Sequence, residues 1–323
     1  MSSRREKFGP LAAWASVCFF WGTTYLAIRV GLETLPPVLF AGLRFLTAGV
    51  LLFVIVRAWT GARLPRGREW FDQAVVGLAL LGVGNGLVVW AEQWVPSGPA
   101  ALLVATSPFW VMGVERFFRE GERLQRRAIA GLLIGFGGLA LLVAPNLYGA
   151  TALGGSYLLG MLALQVACAS WSVGSVYSKH HPTGVQPLMG AAIQMLIAGA
   201  LMTLLGSVIG EWKALHFSPR SLGAFAYLIV FGSIVAYGSY TYAVQKLPLS
   251  LVSTYSYINP VIAVLLGWLV LSEPLGWRVL TATLVILAGV MLVKGGRGKR
   301  SRKSAVRESS LVKEEERKIL RAA

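Results

Sequence analysis

Apolar residues in this chain fall in runs long enough to cross a bilayer, separated by short polar segments that are mostly basic. A spanning helix needs about 20 mostly apolar residues. Ten such runs can be marked, near 11–32, 38–57, 73–93, 98–118, 126–145, 156–178, 186–207, 222–244, 250–271 and 276–294. After Lys294 the pattern changes: Gly295-Gly296-Arg297-Gly298-Lys299-Arg300-Ser301-Arg302-Lys303 opens a basic, solvated tail with an Ala/Glu/Lys-rich end. The reading is an all-α membrane protein of ten transmembrane helices. It divides into a cytoplasmic N-terminal segment (1–10), a first five-helix unit (11–145), an outer linker (146–155), a second five-helix unit (156–294) and a cytoplasmic tail (295–323). The first run follows Ser3-Arg4-Arg5 and could pass for a secretory leader, but another apolar run succeeds it, so it reads as a spanning helix.

The two units resemble each other. Shifting the chain by 150 places Cys18 on Cys168, Trp21 on Trp171, Arg29 on Lys179, Pro37 on Pro187 and Gly49 on Gly199. A shift of 152 places Gln93 on Gln245, Pro96 on Pro248 and Pro108 on Pro260, and a shift of 151 places Glu122 on Glu273, Arg127 on Arg278 and Gly138 on Gly289. These matches run in order through all five helices of each unit. Because five is odd, the second copy enters the membrane from the opposite side, so the copies form an inverted repeat. That architecture is common in secondary transporters, with a substrate site near the midplane at the repeat interface, and it also occurs in channels.

Composition agrees. The chain is 55% hydrophobic and only 14% charged, against roughly 25% charged for a soluble domain. The net charge of +16 does not point to nucleic acid, because the basic residues sit between the apolar runs and in the tail. Arg4, Arg5 and Lys7, then Arg57, Arg63, Arg66 and Arg68, then Arg116, Arg119, Arg123, Arg126 and Arg127, then Lys179 and Lys246 mark the N-terminus and every even loop. By the positive-inside rule, these segments and both termini are cytoplasmic, in a multi-pass protein of the inner (plasma) membrane. Cys18 and Cys168 lie in apolar runs and are expected as free, packed thiols. His180, His181 and His216 lack ligand spacing, so neither a metal site nor another cofactor is expected. No P-loop, His-Glu-x-x-His or Gly-x-Ser-x-Gly motif is present, which argues against an enzyme.

Polar residues at membrane depth are the candidate chemistry. Arg44 lies six residues into the second run, ~9 Å down the helix at about 1.5 Å per residue. A charge at such depth needs a cavity or a partner. Arg44 would either attract a substrate carboxylate or form a fixed strut with Glu92; Gln194 holds the matching place in the second copy. Asn85 and Glu92 are seven apart and share a helix face, suited to cavity lining or to interhelix hydrogen bonding. Pro108 and Pro260 read as mid-helix kinks, with Thr106, Ser107, Ser256 and Asn259 beside them as polar lips of a cavity or as parts of a simple bend. Trp21, Tyr25 and Ile28 form one face of the first run; Trp171, Ser175 and Ser178 form the matching face of the sixth. Tyr237, Tyr240, Tyr255 and Tyr257 add aromatic walls or ordinary packing. Glu122 and Glu273 read as caps or loop ion pairs. Gly131 and Gly135 permit close helix contact, within the chain or across a homodimer.

Trp21-Gly-Thr-Thr-Tyr25, Pro36-Pro37, Leu43-Arg44-Phe45, Thr106-Ser107-Pro108, Tyr257-Ile-Asn259-Pro260-Val261 and Leu271-Ser-Glu273-Pro274, in this order and spacing, resemble the EamA family of the drug/metabolite transporter superfamily. Gly84-Asn85-Gly86, Glu92 and Pro96-Ser97-Gly98 resemble its YedA-like inner-membrane branch. The likeness covers roughly residues 10 to 295. It implies two inverted five-helix repeats in which helices one to four and six to nine enclose a central cavity. It also implies transport, often efflux, of amino acids or related small metabolites. The function expected is a secondary transporter that moves a small-molecule substrate across the inner membrane by alternating access, the lipid bilayer being its other partner. Trp21, Tyr25, Arg44, Asn85, Glu92, Trp171, Ser175, Tyr257 and Asn259 are its expected cavity residues. The alternatives are a non-transporting receptor or scaffold, against which the short outer loops argue, and an intramembrane enzyme, for which only Arg44 and Glu92 could pair.

Overall fold

A computed structural model of the chain describes residues 4–118, 155–247, 249–273 and 275–289, together with 130, 131, 133–135, 137, 138, 141, 291 and 292. Most of the fifth run, the linker up to residue 154, Glu122 with the arginines around it, and the tail 295–323 lie outside the described residues. The described residues form helices joined by short turns and loops, without strands. The helices are α1 (Arg4–Gly31), α2 (Pro37–Thr60), α3 (Arg68–Ala91), α4 (Ser97–Val104), α5 (Ser107–Phe118), α6 (Gly155–His180), α7 (Pro187–Val208), α8 (Pro219–Lys246), α9 (Leu249–Val252), α10 (Tyr255–Leu271) and α11 (Trp277–Gly289). Among the described residues, seven stretches are long and apolar enough to cross a membrane, α4 and α5 counting as one, and Ile258–Leu271 and Trp277–Gly289 are shorter apolar helices.

Large apolar side chains cover the outside. Val54, Leu162, Leu204, Leu269 and Leu284 are each more than half exposed. Water would penalise such a surface, whereas lipid tails solvate it. The inside is equally apolar, with Leu39, Phe40, Phe45, Met189 and Ile193 fully buried.

The most extensive packing is between α2 and α7. They run antiparallel: Gly42 faces Thr203, Gly49 faces Leu196, and Gly206 faces Leu39. Added carbons at Gly42 and Gly49 would come within 2.5 Å and 2.9 Å of the facing backbone nitrogens, and one at Gly199 would strike the Leu46 backbone. The matched pair Gly49 and Gly199 therefore lies in one seam where two backbones touch, and van der Waals contact rather than hydrophobic burial holds helices together there. Around this pair, α1 packs mainly on α8 and α10, while α6 packs mainly on α3 and α5. The first helix of each unit is thus received by the other unit's helices or by the shared centre. The Gly131/Gly135 motif meets α11 of the same chain, since a carbon added at Gly289 would sit 2.6 Å from the Gly131 carbonyl.

Two helices carry the same irregularity. Residues Leu78–Asn85 of α3 and Leu228–Val235 of α8 are π-helical, and they begin 150 residues apart, the offset that aligns the cysteines. A π segment loosens the regular ladder and frees carbonyls for other partners. Here Ala79 O accepts Ser170 Oγ at 2.8 Å from α6, and Gly232 O accepts Trp21 Nε1 at 3.2 Å from α1.

The proline expectation is corrected at one position. Pro260 lies inside α10. Pro108 is not mid-helix: α4 ends at Val104, a turn follows at Ala105–Thr106, and Pro108 falls in the first turn of α5. A first-turn proline removes an N–H that has no intrahelical partner, so the break absorbs it.

The face where α1 leads into α2 is called the upper face below, and that where α2 leads into α3 the lower. On the upper face Glu273 accepts from Ser97 N (2.9 Å), Ser97 Oγ (2.7 Å) and Gly98 N (3.1 Å), capping α4, in keeping with its reading as a cap. Glu211 caps α2 through Leu39 N at 2.6 Å. On the lower face Glu69 takes two 2.7 Å bonds from Arg63 and one of 3.1 Å from Gly184 N, joining two connections.

Candidate functional site

Two cavities lie one above the other inside the helices. The upper holds about 70 Å³ and is walled by Trp21, Tyr25, Arg44, Asn85, Trp171 and Asn259, with Cys168 and Tyr255 beside them. Six of the nine residues singled out in the sequence therefore meet at one place. At roughly 10–15 Å³ per water position, it has room for a handful of waters or a small polar group. The lower cavity is larger, about 250 Å³, and its walls include Asp72, Gln73, Ser175, Lys179, Gln194 and Tyr240.

Arg44 is 3% exposed. Its terminal nitrogen donates to Asn85 Oδ1 at 2.6 Å, its guanidinium carbon lies 4.1 Å from the centre of the Phe45 ring, and its Nε is without a hydrogen bond. Asn85 is the last residue of the π segment, so that irregularity aims its amide at Arg44. A guanidinium bonded to a neutral amide has no anion in contact; the buried Glu92 carboxylate acts on it only through space, and the field of the guanidinium reaches into the cavity. The alternative strut is not formed: no Arg44–Glu92 ion pair occurs among the described residues. Glu92 lies about two turns beyond Asn85, just past the end of α3 and outside the cavity wall, fully buried, with both carboxylate oxygens lacking a hydrogen-bond partner. Its backbone carbonyl accepts from Arg29 and its backbone N–H donates to Val88 O at 3.0 Å, while the charges of Arg29 and Arg44 reach its carboxylate through space.

Asn259 is also buried. Oriented with its nitrogen toward them, its amide donates to the carbonyls of Cys18 (2.9 Å) and Tyr255 (3.1 Å), which ties α10 to α1 just before Pro260. Near the other break, Thr106 Oγ1 donates to Leu103 O at 2.7 Å and to Gln165 Oε1 at 3.0 Å, and Ser107 Oγ donates to Val104 O at 2.6 Å. The carbonyls freed there thus have partners, as an apolar surrounding requires. Gln165 was not recognised from the sequence. The signal was present, since it is the one amide inside the apolar run of α6.

An aromatic layer separates the cavities. The Trp21 ring lies 5.2 Å from that of Trp171, 5.0 Å from that of Tyr240 and 5.0 Å from that of Tyr255, mostly edge to face. Trp171 Nε1 donates to the Tyr240 hydroxyl at 3.2 Å, and the Ser175 and Tyr240 hydroxyls are 2.8 Å apart. Ser175 consequently belongs to the lower cavity, beneath the layer. Tyr257 lies on α10, but its side chain is outside the described residues. Gln194, the counterpart of Arg44, also faces the lower cavity, where it donates to Gln73 Oε1 at 2.6 Å and accepts from Tyr237. The two matched positions serve different cavities, one with a charge and one with an amide. Among the described residues no cluster of His, Cys, Asp or Glu could hold a metal ion, and both cysteines are free and buried.

Comparison with known proteins accords with this architecture. The sequence profile of the EamA-like transporter family matches twice, over residues 8–144 and 158–295. The chain is 38% identical over 293 residues to the uncharacterized inner membrane transporter YedA of Escherichia coli K12, covering 90% of this chain and 91% of that protein. It is 28% identical to the uncharacterized transporter YoaV of Bacillus subtilis, covering 86% and 94%. A solved crystal structure that is 23% identical superposes with a TM-score of 0.65 over 88% of this chain and 95% of the other, a likeness of fold. The double profile match, the identity to YedA along nearly the whole length and the apolar helices together place this chain in the EamA-like transporter family, in its YedA-like branch, as a multi-pass membrane transporter.

Proposed function

We propose that the chain is a secondary transporter of the inner membrane that moves small metabolites by alternating access, amino acids or related carboxylates among them, in the direction of export. The observation that carries this reading is the pair of cavities stacked across an aromatic layer of Trp21, Trp171 and Tyr240, the upper containing the buried guanidinium of Arg44. Arg44 would hold a substrate carboxylate, displacing or sharing the Asn85 amide. Asn85 and Asn259 would supply neutral hydrogen bonds, and the tryptophans would shape the wall for the apolar remainder. Glu92 stands behind this wall, and Ser175 would meet the substrate only below the layer.

An arrangement of ten helices in two inverted five-helix repeats is supported by the antiparallel α2 and α7, by the equal offset of the π segments and by the double profile match. With both termini cytoplasmic, as the lysine and arginine distribution favours, the upper face is the outer one. The name of the YedA relative supports the inner membrane.

The test is counterflow in proteoliposomes with a panel of labelled amino acids, sugars and nucleosides, against empty liposomes. Accumulation of one amine- or carboxylate-bearing class, lost in a folded Arg44→Ala protein, is the expected result. Accumulation that survives Arg44→Ala would remove Arg44 from the site, and none with any class would overturn the substrate reading.

A further inference from the structure

Arg29 and Lys179 occupy equivalent places in the two units, 150 residues apart, near the ends of α1 and α6. Each does the same thing at an opposite face. On the upper face Arg29 Nη1 donates to the carbonyls of Glu92 and, at 2.9 Å, of Gln93, at the end of α3. On the lower face Lys179 Nζ donates to the carbonyls of Val244 at 2.9 Å and Leu247 at 3.5 Å, at the end of α8. One acceptor of each pair is equivalent as well, since the offset of 152 that places Gln93 on Gln245 also places Glu92 on Val244. The last carbonyls of a helix have no partner of their own and carry its negative dipole end, so a long-stemmed cation is a fitting and reversible ligand for them.

Where these bonds run gives them their meaning. Helix α1 packs mainly with α8 and α10, and α6 mainly with α3 and α5. The Arg29 bonds therefore cross from the first group to the second at the upper face, and the Lys179 bonds cross back at the lower face. Between the two crossings lie both cavities and the aromatic layer, and Lys179 and Val244 are themselves part of the lower cavity wall. For either cavity to open to its own face, these groups have to part there, and the cation at that face has to leave its carbonyls. Neither bond is covalent or deeply buried: Arg29 is half-buried and Lys179 exposed.

We propose that Arg29 and Lys179 are the paired latches of the transport cycle, positioning residues that hold the upper and lower faces closed in turn. This rests on the alternating-access reading above. The two latches are linked through the shared helix groups, so release at one face favours closure at the other, as a population shift between two states requires.

The test needs no substrate. Native Cys168 lines the upper cavity and Val76, also buried, lines the lower, so Cys168 and a Val76→Cys substitution report on the two cavities. The protein in lipid nanodiscs is treated with a bulky, charged maleimide, and modification of each site is followed by mass spectrometry. Arg29→Met is expected to raise labelling at Cys168 several-fold and lower it at residue 76. Lys179→Met is expected to do the reverse, and Arg29→Lys and Lys179→Arg to restore most of the original pattern. If either substitution raises labelling at both sites, or neither changes it, the latches are merely structural ties and the proposal is overturned. Should Arg29→Met not fold, Arg29→Gln and the exposed Lys179 variants carry the same opposed expectation. Opposed labelling without counterflow would sink the substrate reading and spare the latches, whereas counterflow without opposed labelling would do the opposite.

Discussion

The seam between α2 and α7 makes a sharp quantitative prediction. A carbon added at Gly49 would lie 2.9 Å from Leu196 N, 3.0 Å from Leu196 Cγ and 3.1 Å from Ala192 O. Favourable separations for such pairs are about 3.5–4.0 Å, so Gly49→Ala forces the helices apart by roughly half an ångström or more. Overpacking of this kind costs about 1–3 kcal/mol. Alanine also gains about 0.8–1 kcal/mol over glycine as a helix former, which blurs a single measurement. Gly113 in α5 removes the blur, because nothing lies within 4 Å of a carbon added there. Gly113→Ala keeps the propensity gain without the clash, and the difference between the two variants isolates the seam. That difference should be about 1–3 kcal/mol, Gly49→Ala being the less stable. At about 1.5 °C per kcal/mol for a chain of this length, apparent unfolding midpoints in one detergent at one scan rate, followed by tryptophan fluorescence, should differ by roughly 1.5–5 °C. Equal midpoints, or a higher one for Gly49→Ala, would refute the claim that the two backbones touch at this seam.

Two further outcomes follow from the upper face. Glu273→Gln weakens the three bonds that cap α4, and hydrogen bonds to a charged group contribute about 1.5–3 kcal/mol in favourable cases; the loss should show as a lowered unfolding midpoint, and an unchanged one would mean that solvent already replaces the cap. Ser272 follows α10 with φ of 55°, a left-handed conformation that costs a side-chain-bearing residue about 1–2 kcal/mol. Ser272→Gly should therefore raise the midpoint modestly, and a fall would show that the serine side chain stabilises the turn.

Much of this protein was decided one helix at a time, and that part was legible in the chain. Whether a run such as 187–208 spans a membrane depends on its own length and composition, because in lipid a helix must satisfy its backbone within itself. The offset of 150 also lay in the residues, from Cys18 and Cys168 to Arg29 and Lys179, since a duplicated unit repeats its spacing. Depth is readable too: Trp21, Arg44, Asn85, Trp171 and Asn259 are polar or aromatic residues far inside apolar runs, and all five line one cavity. What the helical period supplies is a face, not the neighbour across from it. Arg44 and Glu92 are each compatible with the other as a partner, yet the turn of the π segment presents Asn85 to Arg44 and leaves Glu92 behind the wall. Ser175 shares a face with Trp171, yet Trp171 is itself part of the aromatic layer, and Ser175, one turn further along α6, faces the lower cavity beneath it. Pro108 looked like the centre of a helix, but the Gln165 amide of a distant helix stabilises a break just before it. Those outcomes depend on how helices far apart in sequence approach, which is set by contacts such as the glycine seam of α2 and α7, and that is why only the tertiary structure decided them.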